Sequence, residues 1–211
     1  MKKRVISALL SLITVLSIAP SAFAFGSEAT PVDKYPSGIG ILTTDDGSQY
    51  IIQGKVVSES PASASTPNAT VLGENGQASV TYLYDIPESL TKSSYDSGVV
   101  STVYLTITYK TRNTPTEYLL TGVSGKWVIT DSKASVESAT LSYGCTGVFP
   151  SPTTQSVRNV PVENNFSIST GFTDYVTSAA SAYDVMGANL TLGYLMGTSR
   201  RWTFTLTNNL F

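Results

Sequence analysis

The most regular stretch of the chain is residues 102–110, with the sequence TVYLTITYK. Apolar residues at Val103, Leu105 and Ile107 alternate there with polar or amphipathic ones. Successive side chains of a β-strand point to opposite faces, so this period of two predicts a strand with one face toward a core and one toward solvent. Such half-buried strands are typical of antiparallel sheets rather than of parallel sheets covered by helices.

The same alternation recurs along the rest of the chain. More than a quarter of the residues after position 24 are Ser or Thr, a composition that favours strands and polar loops over helices. We count about nine strands separated by turn signals, and we predict an all-β fold, an antiparallel β-sandwich. The further strands are predicted around residues 50–57, 79–86, 118–123, 127–130, 138–143, 166–172, 188–194 and 202–206.

Three segments permit more specific predictions. Ser124-Gly125-Lys126 predicts the turn of a β-hairpin. Residues 144–164 contain Pro150, Pro152 and Pro161 and predict a long loop. Residues 174–186 have apolar residues near helical spacing, so a short helix is one interpretation; Thr177 and several serines argue against it.

The first 24 residues have the order of a secretory signal peptide. A basic start is followed by an apolar run and by a small-x-small pattern that predicts cleavage after Ala24. We therefore expect a secreted, extracellular protein of bacterial type. The remainder is predicted to comprise a loose leader over 25–48 and a single sandwich domain over 49–211. A boundary near 131–133, giving two small β units, is the alternative.

The charge and hydropathy of the chain indicate which classes of binding partner are not expected. Cleavage would remove three of the thirteen basic residues and none of the fifteen acidic ones, changing the net charge from −2 to −5. Because this composition contains no large basic cluster, we expect no binding to nucleic acid or to anionic lipid. No apolar run after residue 24 is long enough to cross a bilayer as a helix, so no membrane span is expected.

The absence of histidine excludes several kinds of catalysis. Ser-His-Asp and Cys-His sites and most zinc sites require an imidazole, and the chain has none. Asp45-Asp46-Gly47, the adjacent acidic pair, is better explained as a solvated turn than as a cation site. We predict no catalytic residue, cofactor or metal ligand. Carboxylate chemistry between acids distant in sequence stays open.

Cys145 is the only cysteine, so no intramolecular disulfide can form. One interpretation is a small, partly buried apolar residue. The alternative is an intermolecular disulfide that pairs two copies of the chain.

Tyr104 is the candidate ligand-stacking residue, because it falls on the polar face of its predicted strand. Exposed aromatic rings can form platforms for sugar rings. Trp127 lies in an arm of the predicted hairpin, and Trp202 alternates with Phe204 and Leu206, so both are predicted to lie in the core.

These observations favour a non-catalytic binding or structural module at or outside the cell surface. Its expected partner is an extracellular ligand, either carbohydrate or protein, and the sequence leaves the oligomeric state open. The alternative is a carboxylate-based hydrolase that acts on extracellular polysaccharide. A binding module should have an exposed aromatic or a concave polar face, whereas a hydrolase should have two acids converging in a cleft.

Overall fold

The computed structural model describes residues 38–60, 77–87, 98–112, 117–147, 153–177 and 185–211. The described residues form twelve strands rather than nine, and the prediction of an all-β antiparallel sandwich is confirmed. The strands are β1 (Ile39–Thr43), β2 (Gln49–Gln53), β3 (Lys55–Ser60), β4 (Gln77–Pro87), β5 (Val99–Arg112), β6 (Glu117–Ile129), β7 (Ala134–Gly147), β8 (Thr153–Pro161), β9 (Phe166–Ser169), β10 (Val176–Thr177), β11 (Val185–Met196) and β12 (Arg200–Asn209).

Two antiparallel sheets pack face to face. Sheet A has the strand order β2-β1-β12-β11-β7-β8, and sheet B has the order β10-β6-β5-β4-β3. The short strand β9 also pairs with β6, along residues 122–125. Along the described residues, β1 and β2 lie in sheet A, β3 to β6 in sheet B, β7 and β8 in sheet A, β9 and β10 in sheet B, and β11 and β12 in sheet A.

The core lies between the sheets, where the alternation predicted it. Val103, Leu105 and Ile107 of β5 are fully buried, as are Leu190 and Leu192 of β11 in the opposite sheet. Strands from both sides of residues 131–133 contribute to this one cluster of buried residues. Residues 131–133 form the turn in which the chain passes from β6 in sheet B to β7 in sheet A.

Buried polar side chains also join the two sheets. The Tyr84 hydroxyl donates to the carbonyl of Thr207 at 2.7 Å, and Tyr194 donates to the Ser101 hydroxyl at 3.1 Å. The carboxamide of Asn208 donates to the carbonyl of Val80 at 3.0 Å and to that of Leu105 at 2.8 Å. Because a buried polar group is costly without a partner, these bonds fix how β12 lies over sheet B.

The predicted hairpin at residues 124–126 is wrong, because β6 runs without a break from Glu117 to Ile129. Gly125 lies mid-strand, buried, and pairs with Phe166 of β9. A Cβ at Gly125 would lie 2.7 Å from the Phe166 ring. The glycine therefore marks a close approach of a side chain to the strand rather than a turn.

Two segments assigned to loops contain strands. Residues 39–43, placed in the leader over 25–48, form β1 between β2 and β12. Residues 153–161, placed in the loop over 144–164, form β8 at the edge of sheet A. At such an edge a strand tolerates proline, and Pro161 is its last residue.

The helix considered over residues 174–186 is absent at both ends of that range. Val176–Thr177 forms β10 against β6, and β11 begins at Val185. Backbone pairing in the sheets outweighs the weak helical spacing there.

Residues 178–184 and the predicted signal peptide lie outside the described residues, so the cleavage site after Ala24 stays a prediction. In the part of the chain that is described, no helix has the length and apolar character needed to span a membrane.

Candidate functional site

The outer face of sheet B is built from side chains in register across neighbouring strands. One row consists of hydroxyl-bearing residues, and we call it the hydroxyl row: Thr81 of β4, Thr106 of β5, Ser124 of β6 and Ser167 of β9. Strands in a sheet lie about 4.8 Å apart, so the hydroxyl row spans about 14 Å. The Thr81 and Thr106 hydroxyls are hydrogen-bonded to each other at 2.9 Å.

The adjacent row contains the aromatic residue that the sequence singled out. Leu83, Tyr104 and Lys126 are direct neighbours across β4, β5 and β6. The Lys126 ammonium lies 4.7 Å from the centroid of the Tyr104 ring, a cation–π contact. Tyr104 is half-buried and Lys126 is exposed, so both are accessible to a ligand.

A cleft of about 430 Å³ opens on this face, and we call it the Tyr104 cleft. Its lining joins the Tyr104 ring to hydroxyl and amide groups, with a single charged side chain. The lining residues are Thr81, Tyr104, Thr106, Ser124, Gly125, Lys126, Asn165, Phe166 and Ser167. The cleft therefore offers one aromatic platform, several hydrogen-bonding groups and one cation.

One side of the cleft is positioned by the turn between β8 and β9. Asn164 accepts a hydrogen bond from the Trp127 amide and donates one to the Trp127 carbonyl, each at 2.9 Å. This side chain extends the ladder of β6 beyond β9. Asn165 follows with φ 62°, a left-handed conformation that asparagine tolerates, and the chain then enters β9. The turn thereby brings Asn165 and Ser167 to the cleft.

Among the described residues that line the cleft there is no acid pair. Its nine lining residues include no Asp and no Glu. In the row on the other side of Tyr104, Asp85 accepts a hydrogen bond from Thr102 at 3.1 Å and lies 3.4 Å from the Lys55 ammonium. A hydrolase working through two carboxylates has no such pair at this site.

The adjacent acids Asp45 and Asp46 lie in a turn over residues 44–48, where the Asp46 carboxylate is hydrogen-bonded within the turn. Asp46 accepts hydrogen bonds from the Thr44 hydroxyl at 2.6 Å and from the Ser48 amide at 3.0 Å. The Thr44 bond, followed by the Ser48 bond, holds the pKa of the Asp46 carboxyl below its usual value. Within the described residues, no group of three His, Cys, Asp or Glu side chains could hold a metal ion.

Three other large aromatics, Trp127, Trp202 and Phe166, differ from Tyr104 in that they pack toward the core. Trp127 is 8% exposed and Trp202 is 4% exposed, so both lie in the core as predicted. Phe166 pairs with the buried Gly125 and packs against the core cluster. Of these residues, Tyr104 is the one whose ring lies on the outer face of sheet B.

Cys145 is fully buried on β7, directly opposite Gln155 of β8. The Gln155 amide lies 3.7 Å from the sulfur, and the same amide donates to the Asp174 carbonyl at 2.9 Å. Burial raises the pKa of the Cys145 thiol to about 11. The position supports the interpretation as a small core residue, because a second chain could reach the sulfur only after local opening.

The sequence pointed to Tyr104 but not to its surroundings. Alternation in β4 and β5 placed Thr81 and Thr106 outward, yet only the register shows that they are neighbours. Lys126 was assigned to a turn, so its contact with Tyr104 was missed. The available signal was the outward position of Lys126 in an uninterrupted strand.

No family model, curated protein or solved structure matches this chain. The function therefore has to be argued from the geometry of the site.

Proposed function

We propose that this protein is a non-catalytic binding module whose Tyr104 cleft binds carbohydrate outside the bacterial cell. The observation that supports the proposal is the combination of an accessible Tyr104 ring with the hydroxyl row in one cleft on the outer face of sheet B. Export rests on the predicted signal peptide over residues 1–24.

The chemistry of the cleft suits a sugar. The CH groups of a pyranose can pack on the flat face of a tyrosine, and sugar hydroxyls both donate and accept hydrogen bonds. The Thr106, Ser124 and Ser167 hydroxyls can do the same, because each has one donor and two acceptor positions.

The site also favours binding over hydrolysis. Glycoside hydrolysis requires an acid and a second carboxylate on either side of the scissile bond, and the described residues of the cleft lining include no carboxylate. Within the part of the lining that the structure describes, Lys126 and Tyr104 are the ionisable residues. We therefore expect the protein to bind a glycan without cleaving it.

Affinity electrophoresis tests the proposal. The protein over residues 25–211 is run in native gels containing hydroxyethylcellulose, arabinoxylan or polygalacturonate. We expect at least one polysaccharide to retard the protein, Tyr104→Ala to abolish the retardation, and Tyr104→Phe to keep most of it. Thr203→Ala is the control, because Thr203 is exposed on sheet A. Far-UV circular dichroism establishes that each variant is folded.

Two outcomes would contradict the proposal. One is retardation by none of the polysaccharides. The other is retardation that a folded Tyr104→Ala variant leaves unchanged. Release of reducing sugar ends from any of the three polymers would instead support the hydrolase alternative.

A further inference from the structure

The Tyr104 cleft has a local charge opposite to that of the whole chain. The three rows centred on Tyr104 contain two lysines, Lys55 and Lys126, and one acid, Asp85. The chain as a whole has a formal net charge of −2. The overall charge led us to expect no binding to nucleic acid or to anionic lipid, but it does not describe this face of sheet B.

The two lysines differ in the groups that their ammonium ions contact. Lys55 forms an ion pair with Asp85, with 3.4 Å between the ammonium and the carboxylate. Lys126 forms no ion pair with the side chains that the structure describes, and its ammonium lies over the Tyr104 ring. A cation–π contact at an exposed position is weak and does not neutralise the charge. Lys126 therefore keeps its positive charge available inside the cleft.

A carboxylate is the group that fits this ammonium best. A hydrogen bond between two ionised groups is roughly twice as strong as one between neutral groups. A neutral sugar that stacks on the ring face covered by Lys126 would have to displace the ammonium without compensation. A sugar carrying a carboxylate could stack on Tyr104 and pair with the displaced ammonium at the same time.

We propose that the ligand of the Tyr104 cleft is a uronic-acid polysaccharide, with its carboxylate bound by Lys126 and its ring packed on Tyr104. This inference rests on the proposed function and deepens it. The carboxylate carbon of a uronic acid is bonded directly to the pyranose ring. The same sugar residue can therefore place its ring on Tyr104 and its charge near Lys126. Lys126 is the one cation among the described residues of the lining, and this arrangement fits such a residue better than a nucleic acid, which needs a basic cluster.

Methyl esterification provides a matched pair of ligands. Polygalacturonate and highly methyl-esterified pectin share the same backbone and differ in whether the carboxyl groups are charged. Isothermal titration calorimetry with oligomers of each should show binding of the acid form at least tenfold tighter than of the ester. Added salt should weaken binding of the acid form and leave the ester nearly unaffected.

The variants separate charge from stacking. Lys126→Met should lose most of the preference for the acid form, and Lys126→Arg should keep it. Lys133→Met removes the same charge from an exposed position in the turn before β7, so it should bind as the unmodified protein does. Tyr104→Ala should weaken binding of both forms, because both present the same ring.

Failure of this inference is distinct from failure of the proposed function. Equal affinity for acid and ester, with loss of both in Tyr104→Ala, would overturn the uronate proposal and keep the cleft as a sugar site. Binding of the acid form that Lys126→Met abolishes and Tyr104→Ala leaves intact would show attraction to charge alone and overturn both. Binding of neither form, with binding of a neutral polysaccharide, would overturn the uronate proposal only.

Discussion

The carboxamide of Asn164 forms two hydrogen bonds with the backbone of Trp127: it accepts one from the amide and donates one to the carbonyl. This contact joins residues that are 37 positions apart in the chain and fixes the turn that places Asn165 and Ser167 at the cleft. The stability of the fold and the shape of the candidate site therefore depend on the same side chain.

Asn164→Ala should lower both stability and affinity. Loss of two hydrogen bonds at a part-buried position should reduce the free energy of unfolding by about 1–2 kcal/mol. Urea denaturation measures this change, and polysaccharide binding should weaken in parallel because Asn165 and Ser167 lose their fixed position. Glu163→Ala, the exposed neighbour, is the control. Unchanged stability in Asn164→Ala would show that the turn is held by other contacts.

Gly125→Ala should be destabilising where Gly122→Ala is tolerated. Both glycines lie on β6 opposite β9. A Cβ at Gly125 would lie 2.7 Å from the Phe166 ring and 2.8 Å from the Tyr104 carbonyl, whereas at Gly122 the nearest atom is 3.4 Å away. Overpacking of this kind costs about 1–3 kcal/mol. Thermal and urea unfolding of the two variants compares them, and equal effects would contradict the contact between Phe166 and β6.

Asn208→Leu tests the polar link between the sheets. The variant keeps the size of the side chain but loses the two donors to Val80 and Leu105. Leaving buried carbonyls without these donors should cost about 2–4 kcal/mol. Thr203→Ala, on the exposed face of the same strand, should change the unfolding free energy by less than about 0.5 kcal/mol. A stable Asn208→Leu variant would mean that apolar packing alone aligns β12 with sheet B.

Alkaline pH should destabilise the protein through its buried tyrosines. Burial raises the pKa of Tyr194 to about 12, above its ordinary value of 10.0. The unfolded phenol ionises first, so stability is fully present below pH 10 and is lost as pH rises toward 12. Tyr194→Phe should make the decline of unfolding free energy over this range shallower, as urea denaturation at several pH values would show. An identical slope would argue against a buried Tyr194 hydroxyl.

Cys145 should be unreactive in the folded protein. A fully buried thiol with a pKa of about 11 presents almost no thiolate at neutral pH. A thiol-specific chromogenic disulfide should react with it only after denaturation, with Cys145→Ala as the blank. A dimer on non-reducing gels that disappears on reduction and in Cys145→Ala would establish the intermolecular disulfide instead.

The alternation of side chains was sufficient to predict the class of fold. Val103, Leu105 and Ile107 lie inward because a strand that exposes alternate residues must bury the others, and this rule needs no long-range information. The same rule placed Tyr104 on the outer face. Trp202 was assigned correctly to the core for the same reason.

What the sequence did not show depends on contacts between distant residues. Gly125 predicts a turn when its neighbours alone are considered, and its place in a strand follows from Phe166, 41 positions later, packing onto it. Residues 39–43 contain no strong strand signal, but they gain partners on both sides from β2 and β12. The register that aligns the hydroxyl row likewise arises from pairing of β4, β5, β6 and β9, which local pattern does not specify.

The most direct test of the central claim is an NMR titration of the isotope-labelled protein with an oligogalacturonate of defined length. We predict that the largest chemical-shift changes occur at backbone amides of Tyr104, Thr106, Ser124, Lys126 and Ser167 on the outer face of sheet B. The amides of Thr191, Thr203 and Thr205 on the outer face of sheet A should stay unchanged. Shifts confined to sheet A would contradict the assignment of the Tyr104 cleft as the binding site, and no shift at any ligand concentration would overturn the uronate proposal.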